Sequence, residues 1–404
     1  MDLNSLLLDD PTDLWSQLDR DKWPHATAIR DFMIGPGRLI PNPTDTLQQM
    51  SKMFLDAGLP LDRSVTIVRL LHAESAASVR MWDSDKGASD FASPYNADGS
   101  KMYNTSPSAL AHKSRKWVRF DPRKLPDDVF GVVVDLKQDG ITDYVCAPVF
   151  LVNGMENIFS FATKSPGGFS DQDIAFLRAT FPAIAACQEI LVVHRILKEV
   201  TRIYVGEEPH LRILAGDVHR GEVTRIKSAI LFADMRGFTS LTSDMSAEDA
   251  TALLNDYYDC LVPHIEEHGG EVLKFIGDGV LAIFRAESDG VSACEQAILA
   301  ATASLETVET RNTKASNTFE IGISLHFGEI AFGNVGSGAR LDYTVIGRDV
   351  NLASRIADLC GQLDQPLLLS SALKQLVIEK TYISCGLHTL KGLTEPEEVF
   401  TIEA

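Results

Sequence analysis

An α+β chain of two domains is the fold class this sequence predicts, and three observations predict it. The length, 404 residues, exceeds what one hydrophobic core organises, so two domains of roughly 150–200 residues follow. Apolar runs of strand length, such as RSVTIVRLL and DYVCAPVFLV in the first half and KSAILFADM in the second, are interspersed with amphipathic helical stretches. A hydrophobic fraction of 45% with 23% charged residues belongs to a globular chain and excludes a disordered or fibrous one.

The formal net charge of -19 repels DNA, RNA and anionic lipid, so no nucleic-acid or membrane partner is expected. The most basic run, Lys113 to Lys124, is broken by apolar and acidic residues and reads as a solvated loop or an edge strand. The N-terminus, MDLNSLLLDDPTDLW, is acidic where a secretory or transit signal is basic, and no apolar run approaches the roughly 20 residues that span a bilayer. A cytoplasmic location is therefore expected. Cys146, Cys187, Cys260, Cys294, Cys360 and Cys385 lack CxxC pairing, so reduced and mostly buried thiols are expected.

Residues 1–40 form an N-terminal segment without an assigned element. A helix is expected from about Thr44 to Ala57, followed by strands at RSVTIVRLL, AASVRMW, DYVCAPVFLV and NIFSFATK. Between Asp83 and Ser108 a polar, Gly/Ser/Asn-rich stretch reads as a long loop. Ser170 and Asp173 are spaced as a capping box that opens a helix over SDQDIAFLRATFPAIAACQEILVV, with Pro182 as a kink point. The arrangement over residues 41–183 resembles a GAF domain, which implies a regulatory fold with a small-molecule effector. No residue set names that effector, and a purely structural domain that aids dimerisation fits equally. Over residues 184–219, Ile190, Val193, Leu197, Val200 and Tyr204 recur at spacings of three and four. Either a short parallel coiled coil or an amphipathic helix packed on its own domain satisfies that seam.

Residues 220–404 carry the chemistry. The apolar strand AILFA ends at Asp234, and Gly237 follows with a turn and free backbone N–H groups, a setting suited to a divalent metal beside phosphates. A helix capped by Ser246 through Asp249 places Leu253, Leu254, Tyr257, Leu261 and Ile265 on one face and ends at His268-Gly269-Gly270. EVLKFIGDGVLAIF reads as two strands joined at Gly277-Asp278. Further on, a strand through Tyr343 to Ile346 leads to a helix on which Asn351 and Arg355, four apart, share a face and can receive an anion.

FADMRGFT, LKFIGDG, GNVGSGARLDYTVIGRDVNLASR and LKGLTEP, in this order, give residues 220–404 a strong resemblance to the class III adenylyl and guanylyl cyclases. The resemblance implies a ferredoxin-like domain that converts ATP to 3',5'-cyclic AMP and pyrophosphate at the interface of a homodimer. It implies that Asp234, Asp278 and the carbonyl of Met235 bind two Mg2+ or Mn2+ ions per site. By the same likeness the amides of Gly237, Phe238 and Thr239 cradle the triphosphate, Asn351 orients the ribose and Arg355 meets the α-phosphate. Lys391 holds the terminal phosphates, with Arg340 as a further phosphate contact. Lys274 matches the adenine-reading lysine, which favours ATP because adenine N1 accepts and guanine N1 donates. Thr344 stands where the commonest adenylyl cyclases have aspartate, a departure that resembles the class IIIb subgroup with its bicarbonate-responsive members. A guanylate cyclase and a catalytically weak nucleotide-binding module are the alternatives. A diguanylate cyclase fits less well, since GGEVLKF echoes that family's hairpin only superficially.

Overall fold

The computed structural model describes residues 2–10, 13–69, 75–94, 102–217, 219–221, 223–286, 290–315, 317–338, 340–391 and 395–403. They form two compact units, Met1–Val200 and Thr201–Ala404.

In the first unit the strands are β1 (Leu7–Leu8), β2 (Arg63–Arg69), β3 (Ser75–Asp83), β4 (Gly87–Pro94), β5 (Trp117–Phe120), β6 (Asp143–Phe150) and β7 (Glu156–Thr163). They pair antiparallel in the order β1-β5-β6-β7-β2-β3-β4. The helices are α1 (Trp23–Ile34), α2 (Pro43–Asp56), α3 (Pro107–Ser114), α4 (Val133–Gln138) and α5 (Asp171–Val205), the last of which runs past the division at Val200. Both faces of the sheet are covered. Ile29, Met50, Phe54, Phe161, Phe176 and Ile184 share one core with α1, α2 and α5, while Ala111, Val118, Phe130, Val133 and Ile158 form another.

All four expected strands form, and α2 begins one residue early behind the Asn42 cap. Three elements depart from expectation. The segment 1–40 contains α1, whose Ala26, Ile29 and Met33 are buried. The polar stretch after Asp83 supplies β4, and its residues 95–101 lie outside the described ones. The basic run Lys113 to Lys124 supplies β5, an inner strand flanked by β1 and β6 with Trp117, Val118 and Phe120 buried, so it is neither loop nor edge.

Helix α5 begins as the sequence proposes: the Asp173 N–H donates to Ser170 Oγ at 3.2 Å and the Ser170 N–H to Asp173 Oδ2 at 2.8 Å. It then continues through Pro182 to Val205, so the expected boundary between 183 and 184 falls inside one helix. By length and composition α5 is apolar enough to cross a membrane, which corrects the expectation that no run approaches that length. Of that apolar window 61% is buried, with Phe176, Phe181 and Ile184 inside the core. Further along, Ile190, Val193, Leu197 and Tyr204 are exposed and Val200 is half-buried.

In the second unit the strands are β8 (Val223–Met235), β9 (Glu271–Ile276), β10 (Gly279–Arg285), β11 (Ile321–Ser337), β12 (Arg340–Ile346), β13 (Leu367–Ser370), β14 (Tyr382–His388) and β15 (Glu397–Ile402). Its helices are α6 (Glu207–Ala215), α7 (Phe238–Leu241), α8 (Ala247–Glu267), α9 (Val291–Asn312), α10 (Arg348–Gln362) and α11 (Ser371–Leu376). The succession β8-α8-β9-β10-α9-β11 folds into the antiparallel order β11-β8-β10-β9, which is the ferredoxin-like pattern. Strand alternation divides β8 between two layers. Leu231, Ala233 and Met235 join a core with Tyr257, Leu261 and Ile265 of α8 and Ala297 of α9, whereas Ile230 packs with Leu281, Phe332 and Ala353 of α10. The α8 cap forms as read, with the Asp249 N–H donating to Ser246 Oγ at 3.0 Å.

Gly270 links α8 to β9. A Cβ there would stand 2.6 Å from Phe284 Cε1 and 2.8 Å from Ile265 Cγ2, both core atoms. Gly270→Ala is therefore expected to destabilise the fold by about 1–3 kcal/mol. Urea unfolding checks this, and an unchanged midpoint would contradict the packing described.

Candidate active site

Asp234 is the penultimate residue of β8, and the register that pairs Ala233 with Val280 brings the β9-β10 turn, with Asp278, beside that strand end. Gly277 takes a φ of 63°, and its carbonyl accepts from Tyr258 Oη at 2.7 Å. The Tyr258 ring also lies 4.4 Å, centroid to centroid, from Phe275, so α8 braces the β9 side of the turn. Burial pushes the Asp234 carboxyl up to about 6, with Asp278 and Asp358 adding like charge and Arg236 opposing them. Room for this carboxyl depends on Gly322, its partner on β11. A Cβ there would lie 3.2 Å from Asp234 Oδ1 and 2.7 Å from Cys360 Cβ. Arg236 is fixed by Glu320 and Asp364, each at 3.2 Å, and by the Cys360 carbonyl at 3.1 Å. Past it, Gly237 in the left-handed region opens α7, and the first N–H groups of such a turn, here including Phe238 and Thr239, have no partner within the helix.

The other predicted residues lie on β9, β12, α10 and the segment after β14. On β9, Lys274 Nζ donates to Asp342 Oδ2 of β12 at 2.8 Å. Thr344, two residues beyond Asp342, pairs with Gly333, which itself pairs with Val223 at the far end of β8 from Asp234. A groove of about 960 Å3 runs beside Lys274, Asn334, Asp342 and Tyr343. Asn351 and Arg355 lie on the exposed stripe of α10, and Arg355 Nη1 reaches Asp358 Oδ2 at 3.3 Å. The first turn of α10 is anchored by Asp349, whose Oδ2 accepts from the Glu329 N–H at 2.7 Å. His326 beside it holds the Asp349 carboxyl below its usual range. Lys391 is exposed next to the buried Leu390, and residues 392–394 of LKGLTEP lie outside the described ones. Arg340 opens β12, but its side chain is outside what the structure describes. Among the described residues, no hydrogen bond or ion pair joins Lys274, Thr344, Asn351, Arg355 or Lys391 to Asp234 or Asp278.

Four residues that shape the site were not singled out for it from sequence: Asp342, Asp358, Tyr258 and Gly322. The first two had a readable signal, since Asp342 sits two residues before Thr344 and Asp358 one helical turn after Arg355. Tyr258 and Gly322 act through long-range contacts that sequence spacing does not encode.

Residues 223–400 match the family described as adenylate and guanylate cyclase catalytic domain. The C-terminal unit is a class III cyclase catalytic domain. An adenylate cyclase of Anabaena cylindrica is 35% identical to the chain over 162 residues, which are 39% of the chain and 32% of that protein. The chain thus spans about a third or less of the curated relatives it matches first. The adenylyl cyclase CyaB from P. aeruginosa is 28% identical over 45% of the chain and 96% of the solved protein, with a TM-score of 0.41. The guanylyl cyclase Cya2 is 26% identical over 46% of the chain and 94% of its own, with a TM-score of 0.39. Cyclases of this family generally use divalent metals. The residues fit such a group: two carboxylates and a main-chain carbonyl are hard oxygen donors, and the like charge around Asp234 is what a dication offsets. No set of three or more His, Cys, Asp or Glu poised around one ion occurs among the described residues, so water or phosphate oxygens would complete the coordination.

The raised pKa of Asp234 has a signed consequence for the metal-free protein. Between its unfolded value and about 6 the folded state binds the extra proton, so this stabilisation is complete at acid pH and disappears as pH rises through 6. Asp234→Asn removes the burden of the buried charge. At pH 7.5 without metal it should be more stable than the parent by roughly 1–3 kcal/mol, with the gap closing towards pH 4. Parallel urea curves at both pH values for the two proteins would contradict the shift.

Proposed function

We propose that the chain is an adenylate cyclase that works as a homodimer in the cytoplasm and is governed by its N-terminal unit. The observation that carries this reading is the pairing of Asp234 and Asp278 at one strand end, next to the free amides of α7. Asp234, Asp278 and the Met235 carbonyl would hold two Mg2+ or Mn2+ ions, which when bound offset phosphate charge and make the ribose 3'-hydroxyl more acidic. The reaction is an in-line attack of the 3'-oxygen on the α-phosphorus, with pyrophosphate leaving.

The chain's own residues then divide the work. The amides of Gly237, Phe238 and Thr239 receive the phosphates, and Lys391 and Arg340 steady them. Asn351 orients the ribose, and Arg355 meets the charge that develops at the α-phosphate. Its present bond to Asp358 is an exposed ion pair of about 0–1 kcal/mol, so Arg355 can exchange that partner for phosphate with little loss. Lys274 donates to adenine N1 and Thr344 accepts from the 6-amino group, with Asp342 as a positioning residue that steers the Lys274 ammonium. A symmetric dimer would complete each site, because a second copy supplies the residues that no hydrogen bond or ion pair ties to Asp234 and Asp278 within the first. The exposed Ile190, Val193, Leu197 and Tyr204 offer a seam for the partner's helix in a short coiled coil. Bicarbonate is proposed as an activator at the catalytic domain, on the strength of Thr344 alone, and a small molecule as an effector of the N-terminal unit.

With ATP and Mn2+ the purified protein should release 3',5'-cyclic AMP, and Asp234→Ala should abolish turnover while the dimer persists in solution scattering. Turnover that survives in Asp234→Ala would defeat the metal assignment. Arg355→Ala should lower kcat by about 10²–10³-fold with a smaller change in KM. A second reading, guanylate cyclase, is favoured by the uncharged Thr344 and by the similarity to the guanylyl cyclase Cya2. Competition between ATP and GTP separates the two, and Lys274→Glu should move the preference towards GTP. A flat bicarbonate titration at constant pH would dispose of the activator.

A further inference from the structure

The N-terminal unit contains a cavity of about 30 Å3 that the catalytic reading does not use. It lies among α1, α2, α5 and the sheet, and its lining includes Met33, Met50, Thr66, Arg80, Phe159 and Gln188. Two of these residues have unmet needs. Arg80, opposite Thr66 in the sheet, is only 4% exposed, yet it forms no ion pair or hydrogen bond among the described residues. Asp90 faces it from β4 but is exposed and does not pair with it. Gln188 of α5 is 7% exposed; its Nε2 donates to Thr66 Oγ1, and its Oε1 is buried without a partner. A second cation adds to the imbalance. Burial, and then Arg195, whose Nη1 donates to Ser78 Oγ at 3.2 Å, draw the Arg80 guanidinium down to about 10, with Asp90 opposing them.

A buried guanidinium without an ion-paired carboxylate is unfavourable, as is an amide oxygen without a donor. We propose that this cavity binds one small monovalent anion, of chloride or formate size, held by Arg80 and Gln188. A half-turn of the Gln188 carboxamide aims its NH2 at the anion and leaves its oxygen to accept from the Thr66 hydroxyl, so one ligand meets both needs. Water fits the volume but brings no charge, and a nucleotide exceeds it. The bound anion joins β3 to α5 through one shared counter-charge. The proposal is independent of the cyclase reaction, and its test reads no turnover.

The full-length protein is melted in sodium gluconate, with chloride or formate replacing gluconate at constant ionic strength. The expected result is a saturable rise of a few degrees in the midpoint, since a ligand bound only by the folded state stabilises it. Gln188→Glu supplies the missing carboxylate from within, so its midpoint in gluconate should match that of the parent in chloride and no longer respond. Arg80→Gln should also lose the response. No saturable rise with either anion, or an equal rise in both variants, overturns the proposal. Bromide soaked into crystals of the parent protein reads the site without any variant. An anomalous peak beside the Arg80 guanidinium is expected, and its absence overturns the assignment.

Discussion

Asp234 is half-buried, and Asp278 and Asp358 bring further negative charge towards it. Against Arg236 and a backbone hydrogen bond, which oppose them, the metal-free fold still holds the Asp234 proton more tightly than water would. Much of the local architecture follows from that crowding. Gly322 withholds a side chain so that the carboxyl has space. Tyr258 ties down the turn that carries Asp278, and three acceptors fix Arg236 where its charge helps but does not pair with Asp234 itself. The strand order places β8 between β10 and β11, which is why its end receives both the turn and the glycine.

Uncompensated charge recurs in the first unit with the opposite sign. Arg80 faces an interior cavity without a partner, as Asp234 faces a strand end without enough positive charge. In each case the surrounding core is well packed, so the imbalance is local and is tolerated by stability supplied elsewhere.

What the sequence made legible was local. The Ser246 and Ser170 caps, the Gly277-Asp278 hairpin and the strands of strong β character formed as read, because each depends on residues a few positions apart. The cyclase-like blocks were legible as motifs, and among the described residues no hydrogen bond or ion pair joins Lys274 or Arg355 to Asp234 or Asp278. What escaped depends on distant partners. Helix α1 alternates buried Ile29 and Met33 with exposed Trp23 and Ile34, which blurs its apolar face. Strand β5 was hidden by Arg119, whose charge is absorbed by Asp143 at 2.7 Å, 24 residues away. The bond from Lys274 to Asp342 spans 68 residues, and no periodicity announces it. The helix runs through Pro182 as read, since packing on the core outweighs one lost backbone bond, but its continuation to Val205 was not legible.

The two residues of β1 have a practical implication. Leu7 and Leu8 cover the outer side of β5 by pairing with Val118 and Trp117, and Asp9 secures them through Lys116 at 2.7 Å and Arg178 at 2.6 Å. Peeling that short ribbon away would bare a row of unpaired amides along a strand of tryptophan, valine and phenylalanine, ready to recruit an identical strand from another molecule. Solubility during purification should therefore be more sensitive to a tag fused ahead of Leu7 than to one placed after β15.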